Sequence, residues 1–235
     1  QPETSLAKSA GIKLGLRNAI LVDEHYETSV KDIYAVGDAI VVKNQLGQDA
    51  LISLASPANR QGRQVADIIS GLPIKNRGSL GTAIVRVFDL QVASTGLSEF
   101  QLRGLKINHK IVHVTANNHA GYYPDVTSIV LKLIFEPERG HIFGAQAIGK
   151  EGVDKRIDIL STAIKAKLTV FDLPELELTY APPFDSAKDP VNMAGYAAIN
   201  LLLGQSENIQ WHELAAELAK GKVLLDVRNP NELAK

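Results

Sequence analysis

Five short segments between residues 82 and 149 place the tightest limit on the fold of this chain. They are rich in β-branched and other apolar residues, as β-strands are, and they read TAIVRVFDL, QVASTGL, KIVHVTA, SIVLKLIFE and HIFGAQAIG. The last two are joined by Pro137-Glu138-Arg139-Gly140, a hairpin-type connection. Successive strands with short connections predict an antiparallel sheet of roughly five strands.

Two helices are predicted to follow these strands. The first carries an apolar stripe at three- and four-residue spacing, formed by Val153, Ile157, Leu160, Ile164 and Leu168. The second opens at Asp189-Pro190 and ends at Gly204. We therefore interpret residues 80–204 as one α+β domain.

Residues 1–79 have a different pattern, which indicates part of an α/β layer. The apolar runs at 19–22 and 33–36 suit short strands. A helix is then predicted with Ser56 as its N-cap, Pro57 at its first position and Gly71 at its far end.

Residues 205–235 contain a predicted short helix, SENIQWHELAAELAKG, and a predicted buried strand, KVLLDVR. One helix and one strand cannot bury a core alone, so we expect this segment to open a further domain. The chain begins with Gln1 and stops within this unit. We therefore expect both ends to lie inside a longer protein.

Composition argues against several classes of function. The formal net charge is −1 in 235 residues, which gives no electrostatic case for nucleic acid or an anionic membrane as a partner. No apolar stretch approaches the roughly 20 residues of a bilayer span, and no secretion signal is evident, so we expect a cytoplasmic protein. His109 and His113 lie about 13 Å apart if they share a strand, so we expect no metal site.

Cysteine is absent from the chain. This absence excludes a disulfide, a thiolate metal site and a catalytic thiol carried by these residues.

The octapeptide KDIYAVGD, residues 31–38, ends an apolar run on a glycine and a carboxylate. Ligands of open α/β sheets bind beyond the carboxyl ends of the strands. There Gly37 would allow close approach, and Asp38 would accept hydrogen bonds from sugar-type hydroxyls. A strand that ends in an ordinary Asx turn is the alternative interpretation.

The predicted helix that follows adds two features. Its amino-terminal end favours an electron-rich ligand atom. Arg60 and Arg63 are three residues apart on one face, which suits either phosphate binding or a solvated basic patch.

Six motifs, taken in order, resemble the pyridine nucleotide-disulfide oxidoreductases. The second flavin-binding motif of that family resembles TSVKDIYAVGDA, and the segment after it resembles LASPANRQGRQVADIISG. The interface domain of the branch with NADH oxidases, NADH peroxidases and coenzyme A-disulfide reductases resembles STGLSE, NHAGYYP, GAQAIG and LTYAPPFDSAKDPVNMAG. The resemblance implies an α/β remnant of the FAD- and NAD(P)H-binding domains over 1–79 and a dimerisation domain over 80–204.

The resemblance also implies roles for matching residues. Asp38 would bind the ribityl chain of FAD, and the helix near Ser56 would direct its amino-terminal end at the flavin ring. The implied cofactor-binding set is Gly37, Asp38, Ala39, Ser56, Pro57, Ala58 and Phe184. For Phe184, packing in the core is an equal alternative.

Two tyrosines match positions that reach the substrate sulfur across the dimer in coenzyme A-disulfide reductases. These are Tyr122 and Tyr180, whose phenols would donate a hydrogen bond to a departing thiolate. Ordinary half-buried aromatic packing is the alternative for each. Asn59 and Arg63 are candidates for contacts to coenzyme A, because an arginine suits a phosphate-rich ligand.

The parent protein implied by these matches is a homodimeric FAD- and NAD(P)H-dependent reductase of coenzyme A disulfide, persulfide or polysulfide. Its reactive cysteine would lie outside this chain. An NADH oxidase or peroxidase is one alternative, and a non-catalytic dimerisation module is another for the fragment alone.

The tail resembles the start of a rhodanese domain in the stretch VLLDVRNPNE. Asp226 and Arg228 would belong to the scaffold of that domain. A sulfurtransferase activity would need the rest of it, including its cysteine.

Overall fold

The computed structural model describes residues 2–233. Its amino-terminal part contains four regular elements, α1 (Ser5–Ser9), β1 (Val42–Lys43), β2 (Asp49–Ala50) and α2 (Ala55–Ile69). The strands expected at 19–22 and 33–36 are not regular strands. Ile20 makes isolated bridges to Leu14 and Ile40, and Tyr34 makes one to Glu27, because neither run has a continuous strand beside it.

Helix α2 begins one residue before the predicted N-cap, so the assignment of Ser56 as N-cap is wrong. Leu54 is the extended N-cap residue, without a side-chain hydrogen bond, and Pro57 lies at the third helical position. A proline in the first turn has no N–H group to satisfy, so the helix needs no capping side chain for that donor. Val65 and Ile68 turn inwards and pack against a small core around Tyr26 and Ile40.

The central element is a five-stranded antiparallel sheet, which confirms the prediction for this part of the chain. Its strands lie in the order β3-β4-β7-β6-β5, and α3 (Glu99–Gly104) follows β4 in the chain. The strands are β3 (Ala83–Val87), β4 (Leu90–Gly96), β5 (Lys110–Asn117), β6 (Ser128–Phe135) and β7 (Ile142–Gly149). The link from Pro137 to Gly140 forms the predicted hairpin, since Glu136 N–H donates to the His141 carbonyl at 2.9 Å.

Two helices, α4 (Val153–Lys165) and α5 (Pro190–Leu202), cover one face of the sheet. The predicted stripe of α4 is buried in the main core from Val153 to Ile164, together with Leu131 and Leu133 of β6. Asp189 caps α5 by accepting a hydrogen bond from Val191 N–H at 2.7 Å, as the Asp-Pro pair predicted. The opposite face of the sheet carries a row of partly exposed side chains that pair in register across four strands: Val85, Val92, Ile148 and Val130.

The tail contains α6 (Leu214–Ala219) and α7 (Pro230–Leu233). The buried strand expected at 222–228 is absent from this structure. That segment has no regular structure, and Val223, Leu225 and Val227 are exposed. A strand needs a neighbour for its backbone groups, and within residues 2–233 none pairs with it. No helix in the described part of the chain is long and apolar enough to cross a membrane.

Gly144 of β7 lies so close to the backbone of neighbouring residues that there is no room for a side chain. A Cβ atom there would contact the Leu97 carbonyl and would lie 2.9 Å from both Leu97 N and Thr95 O. We expect Gly144→Ala to lower the free energy of unfolding by about 1–3 kcal/mol through overpacking. Chemical denaturation followed by circular dichroism measures this loss.

Gly104→Ala in α3 is the matched control, because a Cβ there has no atom within 4 Å. It should leave stability unchanged or raise it by at most about 1 kcal/mol. Equal effects of the two substitutions would contradict the close approach at Gly144.

Candidate functional site

The turn at Gly37–Ala39 lies against the first turns of α2. Gly37 has φ +77°, a left-handed conformation that favours glycine. Its N–H donates at 2.7 Å to the side-chain oxygen of Gln61, a buried residue of α2. A Cβ on Gly37 would lie 3.7 Å from that of Ala58. The backbone conformation at position 37 therefore favours glycine, and the absence of a side chain also allows a ligand to approach the backbone.

The Asp38 side chain is exposed and accepts no hydrogen bond from residues 2–233. Nearby, the N–H groups of Ala55 and Ser56 at the start of α2 have no acceptor within the same residues, and Pro57 has none to donate. The two segments are held together through Gln61 and Gly37. They offer a free carboxylate for hydroxyl groups and free N–H groups for an electron-rich atom, which fits the sugar-alcohol chain and ring of a flavin.

The two arginines of α2 do not act as one patch. The Arg60 guanidinium donates to the Gly78 carbonyl at 2.8 Å and to the Ser79 hydroxyl at 3.0 Å. Arg63 extends into solvent and pairs with Asp67 at 3.0 Å. Of the two arginines, only Arg63 is free to turn towards a ligand. It would give up its ion pair with Asp67 and bind an anionic group of the ligand instead.

Asn59 is engaged within its own helix. Its side-chain amide donates to the Ala55 carbonyl at 2.9 Å. This leaves the amide oxygen of Asn59 exposed beside the start of α2.

Tyr122 and Tyr180 meet at the surface of the single chain. Their hydroxyl oxygens are 3.5 Å apart, and the side chains are 77% and 50% exposed. The hydrogen bond to Tyr122 raises the pKa of the Tyr180 phenol above its ordinary value. The Tyr122 ring is mostly exposed, whereas ordinary half-buried packing still describes Tyr180 in this chain.

Phe184 lies close to Tyr180 and is 71% exposed, so its packing in the core of this chain is ruled out. The two rings border a cavity of about 260 Å³, which is completed by Lys155, Thr179 and Ala181. The three exposed aromatic side chains, Tyr122, Tyr180 and Phe184, form one group, which we call the aromatic group.

Beneath the aromatic group lies an ion network that the sequence analysis missed. The Arg156 side chain is only 1% exposed. Its guanidinium donates to Asp189 at 3.0 Å, to Asp185 at 2.9 Å, and to the backbone carbonyls of Asn118 at 2.8 Å and Gly152 at 3.1 Å. The Asp-Pro cap of α5 marked Asp189 in the sequence, but no local pattern linked it to an arginine on another helix.

Lys155 completes this network from the solvent side. Its ammonium group donates to Asp185 at 2.5 Å and lies 3.8 Å from Asp189. Burial raises the pKa of Asp189 to about 6. Burial alone would also raise the pKa of Asp185, but hydrogen bonds from Asp189 and Lys155 outweigh it and hold that pKa below its ordinary value.

The other predicted positions have simpler surroundings. Asp226 and Arg228 form an exposed pair with one another at 2.6 Å. Within residues 2–233 no group of three or more His, Asp or Glu side chains is arranged to hold a metal ion.

Comparison with known proteins identifies the family. Residues 82–190 match "Pyridine nucleotide-disulphide oxidoreductase, dimerisation domain", and residues 1–62 match "Pyridine nucleotide-disulphide oxidoreductase". The chain belongs to the pyridine nucleotide-disulphide oxidoreductase family. This result confirms the resemblance carried by the motifs.

Several named proteins are similar to the chain. Coenzyme A disulfide reductase of Staphylococcus haemolyticus is 37% identical over 202 residues, which are 85% of this chain and 46% of that protein. The structure of reduced Bacillus anthracis CoADR-RHD superposes with a TM-score of 0.97 at 56% identity, covering 100% of this chain and 42% of that one.

Two further structures are more distant. A NAD-dependent persulfide reductase from A. fulgidus gives a TM-score of 0.88 at 38% identity, covering 92% of this chain and 40% of that one. Water-forming NADH oxidase from Lactobacillus brevis gives 0.82 at 27% identity, covering 87% and 45%. The chain spans less than half the length of each of these proteins.

The ion network predicts a large cost for removing Asp189. Asp189→Ala leaves Arg156 without one buried partner and removes the cap of α5, so we expect a loss of about 3–5 kcal/mol in the free energy of unfolding. Denaturant titration near neutral pH measures it.

Asp158→Ala on α4 is the control, because Asp158 is exposed and forms no ion pair within residues 2–233. That substitution should change stability by no more than about 0.5 kcal/mol. A small effect at Asp189 would contradict an essential role for the network in the fold.

Proposed function

We propose that this chain is the carboxyl-terminal part of an FAD-dependent NAD(P)H oxidoreductase that reduces coenzyme A disulfide or a persulfide or polysulfide. The observation that carries the proposal is the pair of exposed phenols, Tyr122 and Tyr180, at 3.5 Å on the dimerisation domain. Family membership and the similarity to a coenzyme A disulfide reductase and a persulfide reductase support it. We place the reaction in the cytoplasm.

In this proposal the Gly37–Ala39 turn and the start of α2 would hold the flavin. Asp38 accepts hydrogen bonds from the ribityl hydroxyls, and Ala39 lines the same turn. The start of α2, at Ser56, Pro57 and Ala58, presents its N–H groups to the ring, where they stabilise negative charge. When bound, the flavin supplies the electrons taken from NAD(P)H.

The phenols act on the sulfur chemistry. A thiolate attacks the substrate's sulfur–sulfur bond, and the second sulfur departs as a thiolate. Since no cysteine is present in this chain, the attacking thiolate comes from outside it. Tyr122 and Tyr180 donate hydrogen bonds to the departing thiolate, and neither changes its oxidation state.

A homodimer through residues 80–204 completes the site. The aromatic group is too exposed for a site that must exclude water, and the partner's flavin would cover it, with Phe184 against the cofactor. The open face of the sheet would supply a second surface for contact with the partner subunit. Its exposed apolar row consists of Val85, Val92, Ile148 and Val130.

Asn59 and Arg63 are the proposed contacts to coenzyme A. Arg63 extends into solvent and holds only Asp67, so a phosphate group can replace that carboxylate at an exposed site with little cost.

We retain three domains, 1–79, 80–204 and 205–235, and propose that the last opens a rhodanese domain. Val223, Leu225 and Val227 are exposed and would be buried by the remainder of that domain. Rhodaneses carry sulfane sulfur, so this fusion favours a persulfide or polysulfide substrate over a disulfide.

The alternative within the family is an NADH oxidase or peroxidase, which the 27% identity to the Lactobacillus brevis enzyme keeps open. Reduction of oxygen releases no thiolate, so it gives the two phenols no leaving group to assist. A non-catalytic dimerisation module remains the alternative for the chain in isolation.

Asp38→Ala in the parent enzyme should weaken flavin binding, because the ribityl hydroxyls lose a charged acceptor worth about 1.5–3 kcal/mol. The measurement is the ratio of flavin to protein after dialysis, read from visible absorbance. Asp89→Ala, an exposed aspartate of the β3–β4 turn, should retain the wild-type ratio. Full retention of flavin by the Asp38 variant would remove that residue from the cofactor site.

Replacing both Tyr122 and Tyr180 with Phe should slow reduction of coenzyme A persulfide by about 100-fold, the typical contribution of one proton-donating group. Reduction of the flavin by NAD(P)H should be unchanged, since it precedes the sulfur step. Stopped-flow absorbance separates the two half-reactions.

Tyr123→Phe is the matched control for this pair, because it removes a neighbouring hydroxyl and should leave both rates unchanged. If the double variant reduces the persulfide at the wild-type rate, the phenols have no part in the sulfur step.

A further inference from the structure

The buried guanidinium of Arg156 connects the two segments that carry the tyrosines. Through one nitrogen, Nη2, it donates to the Asn118 carbonyl at 2.8 Å and to Asp185 at 2.9 Å. Asn118 lies four residues before Tyr122, and Asp185 lies five residues after Tyr180. A single planar group thus bridges the two segments from below.

Few other bonds link these segments. Ala120 N–H donates to the Pro182 carbonyl at 3.3 Å, which is long for such a bond. The Tyr122–Tyr180 contact is itself 3.5 Å long and exposed. The charged, buried bonds of Arg156 are therefore the strongest link between the segments.

The remaining bonds of Arg156 fix its plane. Nε donates to Asp189 at 3.0 Å and Nη1 to the Gly152 carbonyl at 3.1 Å. Gly152 itself leaves room for this arrangement, because a Cβ there would contact Nη1 of Arg156. A lysine has one nitrogen on a flexible stem and cannot reach all four acceptors from one position.

We propose that Arg156 is a positioning residue that sets the separation of the Tyr122 and Tyr180 hydroxyls for the sulfur step. This inference rests on the proposed function of the two phenols. Arg156 touches neither substrate nor cofactor and acts only through the backbone segments that it holds.

The test is a double-mutant cycle in the intact holoenzyme. Arg156→Lys is made in the wild-type background and in the background with Tyr122 and Tyr180 both replaced by Phe. If Arg156 acts through the phenols, the substitution lowers the rate of coenzyme A persulfide reduction about 10-fold in the first background and less than 2-fold in the second. Equal losses in both backgrounds, or no loss in the first, overturn the proposal.

A second readout does not depend on activity. The hydrogen bond to Tyr122 holds the pKa of Tyr180 above its ordinary value, so an Arg156→Lys variant that separates the hydroxyls should lower the pKa of the Tyr180 phenol. Phenolate absorbance during pH titration measures it, and the same titration in the Tyr180→Phe background isolates this phenol. An unchanged titration overturns the proposal.

Two controls keep the outcome decisive. Arg103→Lys makes the same substitution at an exposed arginine that pairs with Glu99 in the same domain, and it should change neither readout. If Arg156→Lys yields no folded holoenzyme, Asp185→Asn replaces it in both backgrounds and is judged by the same fold-changes. Failure of the proposed function appears separately, as a wild-type rate when the two tyrosines alone are replaced.

Discussion

A guanidinium group without access to water has to be surrounded by acceptors, and this requirement organises the end of the dimerisation domain. Arg156 reaches from α4 to the loop at Asn118, to Asp185 and to the cap of α5 at Asp189. Removing either carboxylate would leave the buried charge of Arg156 only partly compensated, which costs several kcal/mol. The four segments are thus fixed to one another by electrostatics rather than by apolar packing alone.

This arrangement explains how a site can be both exposed and well defined. Tyr122, Tyr180 and Phe184 face solvent in the single chain, where side chains of this kind ordinarily sample several rotamers. The segments that carry the two tyrosines are held from beneath by the bonds of Arg156, so the partner surface that we propose would meet rings already placed. In the sulfur step that we propose, a hydrogen-bond donor to a developing thiolate requires preorganisation of this kind.

The sequence predicted the sheet and the helices that cover it, because each depends on local signals. Strand periodicity, the Pro137–Gly140 hairpin and the Asp189 cap are all readable within a few residues. The predictions that failed concern elements that depend on partners distant in the sequence. The runs at 19–22, 33–36 and 222–228 have the composition of strands, but strand formation needs a neighbour, and within residues 2–233 they have at most isolated bridges. The Arg156 network was missed for the same reason, since its members come from four separate segments.

The order of the strands has a consequence for synthesis on the ribosome. β4 pairs with β3 at once, but its other neighbour, β7, emerges only after β5 and β6. Until then the β3–β4 hairpin carries an open edge and exposes Ala93, which is buried in the finished core, and non-local pairing is slow. The nascent domain therefore passes through a stage that is prone to aggregation, and it leaves that stage only when its final strand inserts at the centre of the sheet.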